Sequence, residues 1–212
     1  MTQGIIEKYN RQFEYAGVLM TVLIAFQFYL IWRDPGLNDA PKIATMSLLM
    51  GFEFIMVHSG VFMSAMPKKI SLFVLIPFYG LFALAFNLAA QDNLVLIIYL
   101  VVVFNRMRFA FADVPKEIKA QNILKSVLAA LTYFVLIFPF AFGAEYVPEW
   151  GITPEKIELI GYPGDTSASG LLIEMPHVAI AFGCAYYCIL AIIEAVSLRP
   201  SFGRPFVKPS NP

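Results

Sequence analysis

The chain has 212 residues, of which 59% are hydrophobic and 14% charged, and its mean hydropathy of +0.70 excludes an ordinary soluble domain. Its 15 basic and 15 acidic residues cancel, so no net charge attracts nucleic acid. The composition predicts an integral membrane protein, and the lipid bilayer is therefore a predicted partner.

Six segments are apolar enough for membrane-spanning helices, each of which needs about 20 residues. They run roughly over Tyr15 to Trp32, Ile43 to Met66, Ile70 to Ala90, Leu94 to Phe104 or beyond, Ile123 to Gly143, and Pro176 to Leu198. In the third, Pro77 predicts a kink, because proline lacks the amide proton that the preceding turn needs. In the sixth, Pro176 suits the first helical turn.

The basic residues predict an orientation for these segments. With a cytoplasmic N-terminus, 12 of the 15 Lys and Arg residues fall on the inner side, and only Arg33, Lys42 and Lys156 on the outer side. The sequence therefore predicts an all-α bundle of six transmembrane helices, a single domain over residues 1–212, with both termini cytoplasmic. Without a signal-peptide pattern or an organelle presequence, a bacterial plasma membrane is favoured.

The longest connection, about residues 144–175, is predicted to be extracytoplasmic and is acidic. Within it, "TPEKIELI" predicts a short helix with Thr153 as N-cap and Pro154 at the first helical position. A loop of this length is typical of a lid or docking surface, or of a flexible linker. The tail of about residues 199–212 is proline-rich and basic, which predicts a surface strap or tether.

The stretch "GFEFIMVHSGVF", residues 51–62, places Glu53 and His58 inside the second predicted span. Ionisable side chains cost several kcal/mol in the hydrocarbon centre unless they are paired or hydrated, so both are candidates for proton or cation binding. From the outer end of this helix, Glu53 lies roughly 15 Å deep and His58 roughly 22 Å deep. The two side chains point about 140° apart on a regular helix, so different neighbours are expected for each.

The predicted partners of these two residues lie on the fourth segment. Asn105, Arg106 and Arg108 are expected near the depth of His58, in the inner half of the bilayer. An ion pair between Glu53 and either arginine would be structural. If the arginines instead reach lipid phosphates, Glu53 stays available for transport or catalysis.

A second candidate site is "EMPH", which places Glu174 three residues before His177. Glu-x-x-His on one helix face is found in di-metal carboxylate bundles, although those sites also need carboxylates from other helices. The alternative is that Glu174 lies outside the helix near its N-terminus, where a negative charge is favoured. A metal site shared by Glu53, Glu174 and His177 would require one helix to be shifted or tilted.

Three functions follow from these patterns. The first is a transporter or channel-like protein with a mid-membrane Glu53 and His58 site for protons or a cation. The second is a non-catalytic structural or assembly subunit, in contact with other membrane-complex subunits or with further copies of itself. The third, an intramembrane metal-dependent enzyme, is the least favoured, because no catalytic motif is present and no cofactor is required, although a metal ion is compatible with the site.

Overall fold

The computed structural model describes residues 10–90, 96–97, 100, 116–163 and 169–198. All regular elements in these ranges are helical, and no strand occurs among them. Five of the described helices are long and apolar enough to cross a membrane. The chain is therefore all-helical over the described ranges and has the character of a multi-pass membrane protein.

The first two spans are α1 (Asn10–Arg33) and α2 (Ala40–Ala65). The third is continuous through α3 (Lys68–Ile70), a π-helical segment (Ser71–Leu75) and α4 (Ile76–Ala90). The remaining helices are α5 (Lys116–Phe142), α6 (Pro154–Leu159), α7 (Leu171–Glu174) and α8 (Pro176–Ser197). A 3-10 turn, Ala144–Tyr146, follows α5.

Five predicted spans are confirmed as helices, with boundaries that move by a few residues. The prediction of Pro176 in the first turn of the last span is also confirmed. The fourth predicted span lies mostly outside the described residues, of which Leu96, Ile97 and Leu100 are helical. The predicted C-terminal strap, residues 199–212, lies outside them entirely.

The π-helical segment lies directly before Pro77 in the third span. Proline removes one amide donor from a helix and crowds the carbonyl four residues earlier. A π turn moves the hydrogen bonding by one residue, and here the Ile76 amide bonds the Ser71 carbonyl. The distortion predicted at Pro77 therefore takes the form of a wider turn just before it.

Helix α8 packs against α1 where Gly183 meets Phe28. The Phe28 ring, 2% exposed, occupies the space where a Cβ atom on residue 183 would lie, and it stacks on Tyr187 with ring centroids 5.5 Å apart. A small residue at such a crossing lets two membrane helices approach closely. Helix α8 also packs against α5 and α2.

Side-chain contacts give the helix directions. The Lys125 ammonium lies 3.2 Å from the Glu14 carboxylate, so α5 and α1 begin at the same end of the bundle. Helix α8 runs against α1, because Phe28 meets Gly183 while Thr21, earlier in α1, bonds Glu194, later in α8. Helices α2 and α8 both begin at the other end.

We name residues 143–163 and 169–175 the cap. The cap covers the end of the bundle at which α2 and α8 begin, and we name this end the capped end. The Trp32 indole donates a 2.8 Å hydrogen bond to the Pro148 carbonyl, and the Gly151 amide donates to the Trp32 carbonyl at 3.1 Å. Trp150 stacks on Trp32 with centroids 4.0 Å apart, and Ile152 is buried in the core. The described part of this connection is therefore packed on the bundle.

The short helix predicted in the cap is confirmed as α6. The Thr153 hydroxyl accepts a hydrogen bond from the Lys156 amide, and Pro154 occupies the first helical position. The first amide donors of a helix have no partner within it. The Thr153 hydroxyl satisfies one of them, and Pro154 has no amide proton to satisfy.

Substitution of Gly183 by Ala tests the crossing of α1 and α8. The added methyl overlaps the buried Phe28 ring, and such overpacking typically costs about 1–3 kcal/mol. We expect the apparent Tm in detergent to fall by roughly 2–4 °C per kcal/mol, as measured by thermal unfolding. Gly17→Ala is the control, because no atom lies within 4 Å of a Cβ built there. An equal melting temperature for the two variants would contradict the packing argument.

Candidate functional site

The candidate site is centred on Glu53, at the middle of the 26-residue helix α2. The Tyr186 hydroxyl donates a hydrogen bond to Glu53 Oε1 at 3.1 Å. Tyr186 is fully buried and Glu53 is partly buried. A carboxyl group in the middle of an apolar helix is thus held by a hydroxyl from a neighbouring helix, which offsets part of the cost of its burial.

Tyr133 of α5 completes the aromatic wall beside Glu53. Its ring lies edge-on to Tyr186, with centroids 5.4 Å apart, and its hydroxyl donates to the Met50 carbonyl at 2.6 Å. Because Met50 is three residues before Glu53, the two tyrosine hydroxyls bind neighbouring turns of α2. Three helices, α2, α5 and α8, meet at this point.

His58 has a local partner on its own helix. Its Nδ1 lies 2.8 Å from the Phe54 carbonyl, and its ring is edge-on to the Phe54 ring. A carbonyl only accepts, so Nδ1 carries the hydrogen, and a neutral ring then presents Nε2 as an acceptor. Helix α2 is α-helical from Ala40 to Ala65, so Glu53 and His58 keep the divergence expected for a separation of five residues. Glu53 therefore bonds the Tyr186 hydroxyl, and His58 bonds the Phe54 carbonyl on its own helix.

The predicted partners Asn105, Arg106 and Arg108 lie outside the described residues. Their pairing with Glu53 or with His58 therefore stays a prediction.

Glu174 and His177 lie on either side of a break in the chain direction. Helix α7 ends at Glu174 and α8 begins at Pro176, with Met175 between them at φ −121° and ψ 73°. The Glu174 carboxylate accepts a 3.0 Å hydrogen bond from the Gly170 amide, directly before α7. Glu174 thus satisfies a backbone donor outside α8, as the alternative interpretation of "EMPH" expected.

Metal ligands do not converge in the described part of the chain. No group of three or more His, Cys, Asp or Glu residues in these ranges is arranged to hold a metal ion. Glu53 and Tyr186 meet in the middle of α2 and α8, away from the cap, whereas Glu174 bonds the backbone of the cap. The described ranges thus supply no donor set of the kind that zinc or a di-metal centre uses.

Glu194 is a second carboxylate within the spans, and it was not among the residues predicted to be functional. The Thr21 hydroxyl lies 2.7 Å from Glu194 Oε2 and 3.1 Å from the Gly17 carbonyl, so α1 and α8 share a polar contact near their far ends. Glu194 met the criterion that singled out Glu53, an ionisable residue inside a predicted span. Tyr133 and Tyr186 carry no such signal, because tyrosine is common in apolar helices.

Two titratable groups of the cap have shifted pKa values. Burial raises the pKa of Tyr162 to about 12, so its hydroxyl stays protonated at any physiological pH and donates to the Ile173 carbonyl at 2.8 Å. The pKa of the exposed Glu155 carboxyl is lowered by its own backbone amide and by the Thr153 hydroxyl at the start of α6. This interaction is present above the ordinary pKa of a glutamate and is lost as pH falls through the lowered value.

Comparisons with protein families, with curated proteins and with solved structures find no match for this chain.

Removal of the Tyr133 hydroxyl tests the polar contact between α5 and α2. Tyr133→Phe keeps the packed ring but loses the hydrogen bond to the Met50 carbonyl, a loss of about 0.5–1.5 kcal/mol. We expect a small decrease in the free energy of unfolding, measured by denaturant titration in detergent. Tyr146→Phe is the control, because this side chain is 87% exposed. Equal stability of both variants would show that the Tyr133 hydroxyl does not hold these helices.

Proposed function

We propose that this chain is a transporter or channel-like membrane protein in which Glu53 takes up and releases a proton in the middle of the helix bundle. The observation that supports it most directly is the 3.1 Å hydrogen bond from the Tyr186 hydroxyl to a partly buried carboxyl group at the centre of an apolar helix. Ionisable groups in such a position are costly and generally functional.

The donors around Glu53 favour a proton over a metal cation. Tyrosine hydroxyls stabilise a carboxylate by donating to it, and a protonated carboxyl still offers its carbonyl oxygen to the same hydroxyl, so both charge states keep a partner. Calcium, by contrast, takes six to eight oxygen ligands and magnesium about six. The described residues bring one carboxylate to this point, and no group of three acidic, cysteine or histidine residues.

The proposal includes six membrane spans with both termini in the cytoplasm. Helix α4 runs against α2, because Phe86 packs on Phe52 while Tyr79 belongs to the cluster that contains Met56. Its last residue therefore points towards the capped end, whereas α5 begins at the opposite end with α1. Residues 91–115 must connect these two ends, and a sixth span satisfies that requirement.

The charge of the cap supports its placement outside the cytoplasm. Among its described residues are the acidic Glu145, Glu149, Glu155, Glu158 and Glu174, against the single basic residue Lys156. Lys and Arg are retained preferentially on the cytoplasmic side, so the end whose described cap holds a single basic residue is the one expected outside. A bacterial plasma membrane, as expected from the sequence, completes the proposal.

The test is proton flux through Glu53 in proteoliposomes. The purified protein is reconstituted with a trapped pH-sensitive dye, and an imposed pH gradient is discharged with potassium and valinomycin present to remove the electrical potential. We expect Glu53→Gln to reduce flux to the level of protein-free liposomes, because glutamine cannot exchange a proton. Its amide oxygen still accepts the Tyr186 hydrogen bond, so folding is preserved.

Glu194→Gln is the matched control, since it removes another hydrogen-bonded carboxyl from the same bundle. This variant should retain the flux. Wild-type protein without proton flux, combined with a lower melting temperature for Glu53→Gln, would contradict the proposal and favour the structural or assembly subunit.

A further inference from the structure

The ring of Tyr186 is packed in a fixed position next to Glu53. The side chain is fully buried on α8. Its ring centroid lies 5.0 Å from that of Tyr187, 5.4 Å from that of Tyr133 and 6.4 Å from that of Phe182. A close-packed ring cannot turn its hydroxyl away from α2 without displacing these neighbours. The 3.1 Å hydrogen bond to Glu53 Oε1 is therefore supported by the packing of α8.

The hydroxyls of Tyr186 and Tyr133 lie side by side but have different kinds of acceptor. A tyrosine hydroxyl carries one proton and can donate one hydrogen bond. Tyr133 donates to the backbone carbonyl of Met50, which stays neutral at every pH. Tyr186 donates to the carboxyl group of Glu53, which can gain or lose a charge. The bond from Tyr186 can therefore change in strength with the protonation of its acceptor.

The other titratable groups in this part of the bundle have positions or partners of their own. On α2 and on the helices packed against it, the described ones are Lys42 and His58 of α2, Tyr79 of α4, Lys125 and Tyr133 of α5, Glu174 of α7, and His177, Cys184, Tyr187, Cys188 and Glu194 of α8. The charged members of this set bond elsewhere: Lys42 to Gln27, Lys125 to Glu14, Glu174 to the Gly170 amide, and Glu194 to Thr21. The Tyr186 hydroxyl, by contrast, donates directly to Glu53.

We propose that Tyr186 sets the pH range over which Glu53 takes up and releases its proton, by stabilising the charged carboxylate. This inference rests on the proposed function, because it concerns the regulation of the same carboxyl group. A hydrogen bond to an ionised acceptor is roughly twice as strong as one between neutral groups. The bond from Tyr186 therefore favours the charged form of Glu53 and opposes the effect of burial, which favours the neutral form. Tyr186 is thus a positioning residue that acts through Glu53.

The experiment measures the protonation of Glu53 directly, without relying on flux. Dicyclohexylcarbodiimide enters lipid and modifies carboxyl groups in their protonated form. The full-length protein in proteoliposomes is treated with it over a series of pH values, and modification of Glu53 is measured by mass spectrometry. The variant is Tyr186→Phe, which keeps the ring and removes the proton that the hydroxyl donates.

We expect Tyr186→Phe to raise the pH of half-maximal Glu53 labelling by about one unit, because the charged carboxylate loses its donor. On the alkaline side of the transition, Glu53 should then be labelled roughly tenfold faster than in the wild type. The pH profile of Glu53-dependent flux should move in the same direction. An unchanged or lowered pH of half-maximal labelling overturns the inference.

Tyr162→Phe is the matched control, because it removes a tyrosine hydroxyl that bonds a neutral backbone carbonyl, that of Ile173, in the cap. This variant should leave the labelling profile of Glu53 unchanged. Glu194 serves as a reference within every sample, and its own labelling profile should be the same in all proteins. An equal shift for Tyr162→Phe and Tyr186→Phe would show a general loss of packing and would overturn the inference.

A second variant keeps the proposal testable should Tyr186→Phe not fold. Fluorotyrosine, with the fluorine next to the hydroxyl, is incorporated at residue 186 and nearly preserves the shape of the side chain. Fluorine makes the hydroxyl a stronger donor, so the pH of half-maximal Glu53 labelling should fall. A shift opposite to that of Tyr186→Phe supports the inference, and an unchanged or raised value overturns it.

The outcomes separate this inference from the proposed function. A shifted labelling profile without Glu53-dependent flux would keep the control of Glu53 by Tyr186 and reject transport. Flux that depends on Glu53, with labelling profiles that do not respond to Tyr186→Phe or to fluorotyrosine, would keep the function and reject the role of Tyr186.

Discussion

The close approach of α1 and α8 at Gly183 determines where the other parts of the bundle lie. The Phe28 ring of α1 fills the space that a Cβ on residue 183 would take, so the two helices pack closely at this point. Helix α8 then presents Tyr186 to α5 and α2 on one side, while the end of α1 brings Trp32 beneath the cap. The site at Glu53 and the docking of the cap both depend on this one crossing.

Hydroxyl groups carry most of the described polar contacts between spanning helices. Tyr186 reaches Glu53, Tyr133 reaches the Met50 carbonyl, and Thr21 reaches Glu194. In an apolar surrounding, a neutral donor satisfies a buried acceptor without adding a second charge that would itself need solvation. The described ion pair, Glu14 with Lys125, lies instead towards the end of the bundle where α1 and α5 begin.

Much of the helical fold was predictable from the sequence, since spans of about 20 apolar residues and the N-cap Thr153 depend only on local residues. That Glu53 is a carboxyl inside an apolar span could be read in the same way. Its tyrosine partners could not, because Tyr133 and Tyr186 are distant in sequence and become recognisable only when α5 and α8 pack against α2.

Two backbone groups of the cap take part in its contact with α1. The Gly151 amide bonds the Trp32 carbonyl, and the Pro148 carbonyl receives the Trp32 indole. Backbone groups are the same in every sequence, so mutation can alter the acidic side chains of the cap without releasing it, as long as Gly151, Trp32 and the packed Trp150 and Ile152 remain. In evolutionary terms, the exposed surface of the cap is free to change its chemistry rapidly, while the position of the cap over the bundle depends on few residues.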